Sequence, residues 1–222
     1  MNGLRMKSHN AAGLLISFCG LDGCGKSTLI KMLQEQLEEQ GKRVELTKQP
    51  TDFVRKADIF RTYMDSEDHS KYDYRALSLF AAADRIQHSN RVIMPALMQG
   101  AIVLSDRYFY SCIANLRARG YMEDGWIYEI SEAIPRPDIA FFLDVPVETA
   151  IARVRARPEE RERYIDEALQ HRLRTEYRKI CNMNGGILLD TTQSPRQTLA
   201  EAWRFVKQKM EEEKTNYETK SN

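Results

Sequence analysis

The sequence predicts an α/β domain built around a parallel sheet, and three observations carry that prediction. Apolar, strand-like runs alternate with helical patterns along most of the chain. Several of those runs end on a carboxylate, at the edge where such sheets gather ligands. A glycine-rich loop joins the first run to the first helical pattern. Residues 14–18 (LLISF) read as a buried strand. Residues 27–37 follow as a helix, with Leu29, Ile30, Leu33 and Leu37 on one face and Gly41 as its stop. A short second strand covers 44–47. A long helical pattern covers 73–98, carrying Leu77, Phe80, Ala81 and Asp84, bent by Pro95 and stopped at Gly100. Residues 101–105 are the clearest buried strand and lead into Asp106-Arg107-Tyr108. Strands at 139–143 and 187–189 end at Asp144 and Asp190, and Pro195 opens a last helix. The expected architecture is a parallel five-stranded sheet flanked by helices.

At 222 residues the chain fits one globular domain, with no repeat or linker. Residues 13–210 are expected to form it, with 1–12 a disordered extension and 211–222 a frayed, charged tail. Lys+Arg 33 against Asp+Glu 32 gives no broad basic footprint for nucleic acid or a membrane surface. The apolar run after the polar N-terminus is too short for a signal peptide or a span. Cys19, Cys24, Cys112 and Cys181 lack CxxC spacing, which fits reduced thiols in a cytoplasmic protein rather than zinc or disulfides.

The loop Gly20-Leu21-Asp22-Gly23-Cys24-Gly25-Lys26-Ser27-Thr28 matches GxxxxGK[ST], between strand and helix as that pattern requires. Glycines let the backbone N–H groups turn inward on a polyphosphate, and the helix N-terminus adds a favourable dipole. Lys26 then reaches the β- and γ-phosphates, and the Ser27 hydroxyl is placed to ligate Mg²⁺. The motif predicts a nucleoside triphosphate ligand. Cys24, inside this anion-binding loop, is expected either to be a low-pKa, reactive thiol or to be a small packing residue.

Strand ends supply the other candidates. Asp106 stands where such folds place the carboxylate that orients Mg²⁺, and capping the next helix is the structural alternative. Arg107 beside it faces the same anion. Arg153, Arg155, Arg157, Arg161 and Arg163 surround Pro158-Glu159-Glu160. Most of them suit a solvated, charged helix paired with its glutamates. Pro158 ends that helix, and an exposed loop before a helix at Ile165 reads as a lid at about 155–164, from which Arg157, Arg161 or Arg163 reaches the triphosphate.

Four blocks in order now carry a family resemblance: the loop 20–28; Phe80-Ala-Ala-Ala-Asp-Arg-Ile-Gln-His88; Asp106-Arg-Tyr-Phe-Tyr-Ser111; and the stretch from Arg136 through Asp144 to Arg157. Together they resemble the thymidylate kinases, which implies a P-loop kinase fold and ATP- and Mg²⁺-dependent phosphorylation of a nucleoside monophosphate by a homodimer. The resemblance implies that Asp22 meets the acceptor's sugar 3′-hydroxyl. Arg85 and Arg107 would grip its monophosphate, and Phe80, Tyr108, Ser111 and Asn115 would complete the acceptor site. Thr28 would contact the donor or cap the helix. Because Gly23 stands where some members carry an arginine, the catalytic arginine is expected from the lid.

The base-reading positions depart from the family pattern. Ala81 replaces the usual phenylalanine four residues before Arg85, with Phe80 one step away, and Ala114-Asn115-Leu116 replaces an aromatic–glutamine run. Gln49-Pro50-Thr51-Asp52 stands for the usual Glu-Pro-Gly-Gly. Base selection is therefore expected to be looser or redirected. A same-fold phosphotransferase for another nucleotide or phosphorylated metabolite, and a non-catalytic nucleotide-binding protein, are the alternative functions.

Overall fold

The protein is described by a computed structural model covering residues 4–220. The strands are β1 (Leu14–Cys19), β2 (Val44–Lys48), β3 (Ile102–Asp106), β4 (Ile139–Asp144) and β5 (Ile187–Asp190). They form one all-parallel sheet in the order β2-β3-β1-β4-β5. Every residue of β1 is buried, as a strand covered on both faces requires. The half-exposed pattern of β2 fits its place at the sheet edge. Phe18 and Lys48 both pair with Asp106, and Asp144 pairs with Asp190, so the carboxylates collect at one edge. The chain leaves β1 towards β2 and β3 on one side and reaches β4 and β5 on the other. That reversal opens a crevice beyond the end of β1.

Helix α1 (Lys26–Glu39) buries Leu29, Ile30, Leu33 and Leu37 on the sheet and ends before Gly41, whose φ of 70° suits glycine. Two short helices, α2 (Asp52–Arg55) and α3 (Asp58–Asp65), fill the stretch after β2, where no helical pattern is expected from the sequence. The expected 73–98 helix is α4 (Tyr74–His88), a π-helical turn at Ser89–Ile93 and α5 (Met94–Met98). The widened turn sits just before Pro95, which has no N–H to donate and whose ring needs room against the preceding turn. Leu77 and Ile93 are core residues, whereas Leu79 and Val92 are exposed.

Helices α6 (Tyr110–Ala118), α7 (Trp126–Ile130), α8 (Val147–Arg155), α9 (Glu167–Met183) and α10 (Pro195–Lys220) complete the layers. The Asp166 carboxylate caps α9 by accepting from the Leu169 N–H at 2.9 Å, so this helix starts two residues after the expected Ile165.

Both chain ends differ from expectation. Residues 4–12 were expected to be loose, yet the Arg5 N–H donates to Ser131 Oγ at 2.8 Å and the Arg136 N–H to the Lys7 carbonyl at 2.8 Å. His9 Nε2 also lies 2.9 Å from Asp138 Oδ2. Polar sequence misled here because these segments meet backbone and carboxylate partners, not apolar ones. Residues 211–220 of the expected tail continue α10, with Lys209 paired to Glu212 and Glu213. Residues 1–3 and 221–222 lie outside the described residues.

Between α6 and α9, Arg117 Nε lies 2.7 Å from Glu176 Oε2 with both side chains under a tenth exposed. It is a close, buried ion pair, and losing one partner removes a charge–charge contact at a place poorly reached by water. Glu176→Ala is expected to lower unfolding free energy by about 3–5 kcal/mol in urea titration. A loss below about 1 kcal/mol contradicts the pair's structural role.

Candidate active site

The glycine-rich loop wraps the end of β1 with Gly20, Gly23 and Gly25 at φ of 142°, 81° and 94°. At Gly23 the constraint is also steric, because a Cβ would stand 2.1 Å from the Ala150 carbonyl oxygen. Lys26 is buried, and its Nζ donates to the carbonyls of Gly20 at 3.1 Å and Leu21 at 2.8 Å. Those carbonyls hold the ammonium against the loop. Ser27 and Thr28 are exposed at the start of α1. Cys24 is fully buried, 3.6 Å from Lys26 Nζ and packed against Gly20. Its burial and its packing against Gly20 fit the packing role rather than the reactive one.

Asp22 is the hub of the site. Arg107 Nη2 donates to its Oδ1 at 2.5 Å, and Arg163 Nη2 to its Oδ2 at 3.0 Å. Burial pushes the Asp22 carboxyl up, but Arg107, Lys26 and Arg163 outweigh it and hold the group well below the usual carboxylate range. Arg107 Nη1 also donates to the Gly20 carbonyl and to Tyr177 Oη, both at 3.1 Å. Burial pushes the Tyr177 phenol up to about 12, so it stays protonated and donates to Ser111 Oγ at 3.1 Å. The Arg107 backbone has φ 67°, a left-handed turn that costs a side-chain-bearing residue about 1–3 kcal/mol. This turn swings the guanidinium from the end of β3 across β1, while the Arg107 N–H donates to the Phe18 carbonyl at 2.8 Å.

A cleft of about 950 Å³ runs from the loop between α3, α4, α6 and α9. It brings Arg85, Arg107, Ser111 and Asn115 together. Arg85 is 2% exposed; its Nη1 donates to the Ala81 carbonyl at 2.9 Å, and its Nε has no partner among the described residues. Two expected acceptor residues fall elsewhere. Phe80 packs on Phe53, ring centres 5.3 Å apart, outside the cleft lining, because one helix step turns it away from Ala81. Tyr108 is core, its hydroxyl donating to the Pro135 carbonyl at 2.6 Å. Tyr63, Tyr74 and Arg119 line the cleft and were missed. For Tyr63 there was no signal, since α3 was not foreseen. Arg119 lies one helical turn beyond Asn115, and that spacing was available to the eye.

Asp106 sits at the loop's edge with Oδ2 3.5 Å from Lys48 Nζ, and its buried Oδ1 has no partner among the described residues. A hard cation prefers such an oxygen, so Asp106 and Ser27 fit the expected Mg²⁺. Of the lid arginines, Arg157 lines the cleft 3.6 Å from Glu160, and Arg163 lines it while bound to Asp22 and Glu160. Arg161 is exposed outside the cleft lining, and its carbonyl accepts from Arg155 Nη1. The single-turn helix at Pro158–Glu160 points Arg161 outward and Arg163 inward. A second hollow of about 200 Å³ shares Gly25 and Thr28 with the loop and continues to Arg153, Thr191 and Gln193.

The thymidylate kinase family profile matches residues 18–202. The chain belongs to that family. It is 39% identical to "Probable thymidylate kinase" of Pyrococcus horikoshii over 77% of this chain and 84% of that protein. It is 32% identical to "Thymidylate kinase" of Acinetobacter baumannii over 87% of this chain and 100% of that protein. The family match spans the loop, the Arg85 and Arg107 blocks and the lid. The parallel five-stranded sheet flanked by helices is the P-loop kinase fold. Among the described residues no helix is long and apolar enough to cross a membrane.

The Asp22 environment has a pH consequence. Its depressed folded pKa contributes stability that is present above the unfolded carboxylate value of about 4 and is lost as pH falls towards the folded value. Asp22→Asn should therefore destabilise the protein at neutral pH, with the gap from wild type narrowing as pH drops below about 4. Denaturant midpoints measured across that range check it, and a gap that widens in acid contradicts it.

Proposed function

We propose that the protein transfers the γ-phosphoryl group of ATP to thymidine monophosphate, giving thymidine diphosphate and ADP. The observation that carries this reading is that two sets of cations line one cleft: the loop with Lys26, and Arg107 with the unpartnered Arg85 Nε. A simple triphosphatase has no use for the second set. In this reading the triphosphate lies on the loop N–H groups, Lys26 exchanges its carbonyl partners for phosphate oxygens, and the hollow by Arg153 and Thr191 takes the donor base. Gly20, Gly23, Cys24, Gly25 and Thr28 contribute backbone and helix-end contacts to the same anion. Ser27 and Asp106 would hold Mg²⁺, which when bound neutralises charge on the donor phosphates.

Arg107 and Arg85 grip the acceptor phosphate, with Ser111 and Asn115 along the cleft wall and Asp22 towards the sugar. An oxygen of that phosphate attacks the γ-phosphorus as the bond to the β-phosphate's bridging oxygen breaks, and ADP leaves with the electron pair. The acceptor oxygen is already anionic, so positioning and charge neutralisation replace a strong base. Arg163 is the lid arginine best set to meet the moving phosphoryl, with Arg157 behind it. The exposed Arg161 is the weakest of the three candidates.

The reading extends to a cytoplasmic homodimer acting on free nucleotides. Exposed Phe53, Leu79 and Val92 supply apolar surface for a partner, and near-neutral charge gives no attraction to nucleic acid.

A coupled assay of ADP release with ATP and a panel of monophosphates tests the reaction. Lys26→Ala should lower turnover by about 10³-fold with the fold retained, and near-normal turnover contradicts the assignment. Arg163→Ala is expected to lower kcat by about 10²-fold or more and Arg161→Ala by less than about threefold. The reverse order would return the role to Arg161.

A further inference from the structure

Helix α9 carries a hydroxyl among its core residues. Leu169, Leu173 and Tyr177 recur every four residues on its buried face, and all three line the cleft. The Tyr177 ring is 4% exposed and lies 6.4 Å from the Phe142 ring, centre to centre. A phenylalanine ring would fill that space as well, so packing alone does not call for the oxygen. The hydroxyl instead accepts from Arg107 Nη1 at 3.1 Å and donates to Ser111 Oγ at 3.1 Å.

The direction of these two contacts is fixed. Burial pushes the phenol up to about 12, so it keeps its one hydrogen, and a guanidinium can only donate. The hydrogen therefore goes to Ser111, and a lone pair is left aimed at Arg107. Arginine is a long side chain with much rotamer freedom to lose. The other two partners of this guanidinium, Asp22 Oδ1 and the Gly20 carbonyl, both belong to the glycine-rich loop. Two anchors on one loop fix a line about which a planar fork can still tilt. Tyr177 adds a third anchor from a separate element, and that sets the plane. The Arg107 Nε–H makes no hydrogen bond among the described residues, and the plane decides where it points.

We infer that Tyr177 is a positioning residue for the acceptor phosphate: its hydroxyl, braced by Ser111, orients the Arg107 guanidinium from α9. The inference rests on the phosphotransfer reading above. Tyr177 acts there through Arg107 and meets no reacting atom itself. Its anchor matters most once a triphosphate engages the loop, because Lys26 and Arg163 then exchange partners around Asp22 and the loop carbonyls. Tyr177 stands on a helix that takes no part in that exchange. A guanidinium already oriented loses less freedom when phosphate binds, which favours the acceptor without touching the donor.

The test is a double-mutant cycle on ADP release, with dTMP varied at saturating ATP, in wild type, Tyr177→Phe, Arg107→Ala and the double variant. Tyr177→Phe removes one oxygen and keeps the ring. It should lower kcat/KM for dTMP about 10-fold, mainly through KM, and change KM for ATP by less than about twofold. On the Arg107→Ala background the same change should cost less than about twofold, since the group it orients is gone. The ratio kcat/KM stays measurable where saturation is out of reach. Tyr177→Met fills the space with no hydroxyl and should give the same split between acceptor and donor. An unchanged kcat/KM for dTMP in Tyr177→Phe overturns the assignment. Equal losses for dTMP and ATP, or a full 10-fold loss repeated without Arg107, mark a general structural role and overturn it as well. A wild type that releases no ADP with any monophosphate overturns instead the phosphotransfer reading on which the assignment rests.

Discussion

The ion pair between Asp22 and Arg107 is the constraint on which the site depends. It joins the loop after β1 to the end of β3, the neighbouring strand in the sheet. Arg107 reaches Asp22 only by adopting a left-handed backbone turn, so part of the pair's favourable energy offsets that strain. The same guanidinium bonds the Gly20 carbonyl and Tyr177, which brings α9 into register with the loop. Arg163 occupies the other oxygen of Asp22 and ties the 156–166 segment to the same point. One carboxylate thus links the glycine-rich loop, Arg107 at the end of β3 and Arg163 of the 156–166 segment.

In the proposed reaction, substrates would act on this arrangement by competing for its cations. Lys26 and Arg163 are held by the loop carbonyls and by Asp22, groups weaker than or comparable to a phosphate oxygen as partners. A triphosphate that draws both cations away would leave Asp22 with Arg107 alone. The cleft is thereby pre-organised in position, and in the proposed reaction it would exchange hydrogen bonds on binding. Arg85 differs, because its Nε is already unpartnered and needs no exchange.

Most of the fold was legible because β1, β3, β4 and β5 are mainly apolar runs with a carboxylate or glycine at their ends, whereas the edge strand β2 is short and mixed. The loop was legible for a stronger reason, since its glycines are demanded by positive φ and by the approach of Ala150. The acceptor wall was less so. The ring expected at Phe80 points outward because helical geometry assigns Ala81, not its neighbour, to the cleft. Tyr63 and Tyr74 arrive from α3 and the first turn of α4, brought in by tertiary packing that no short motif encodes. The choice among the lid arginines hung on a single helical turn at Pro158–Glu160, which rotates Arg161 to solvent and Arg163 to Asp22.

The central claim is that Asp22 fastens the lid segment as well as Arg107. Amide hydrogen exchange of wild type and Asp22→Asn reads this directly, since local opening of residues 157–166 sets their exchange rates. The account predicts faster exchange in the variant at Glu160 and Arg163, whose N–H groups donate to the Arg157 and Glu160 carbonyls within that segment, and little change in the Arg117–Glu176 layer between α6 and α9. Equal exchange in that segment for the two proteins would contradict it.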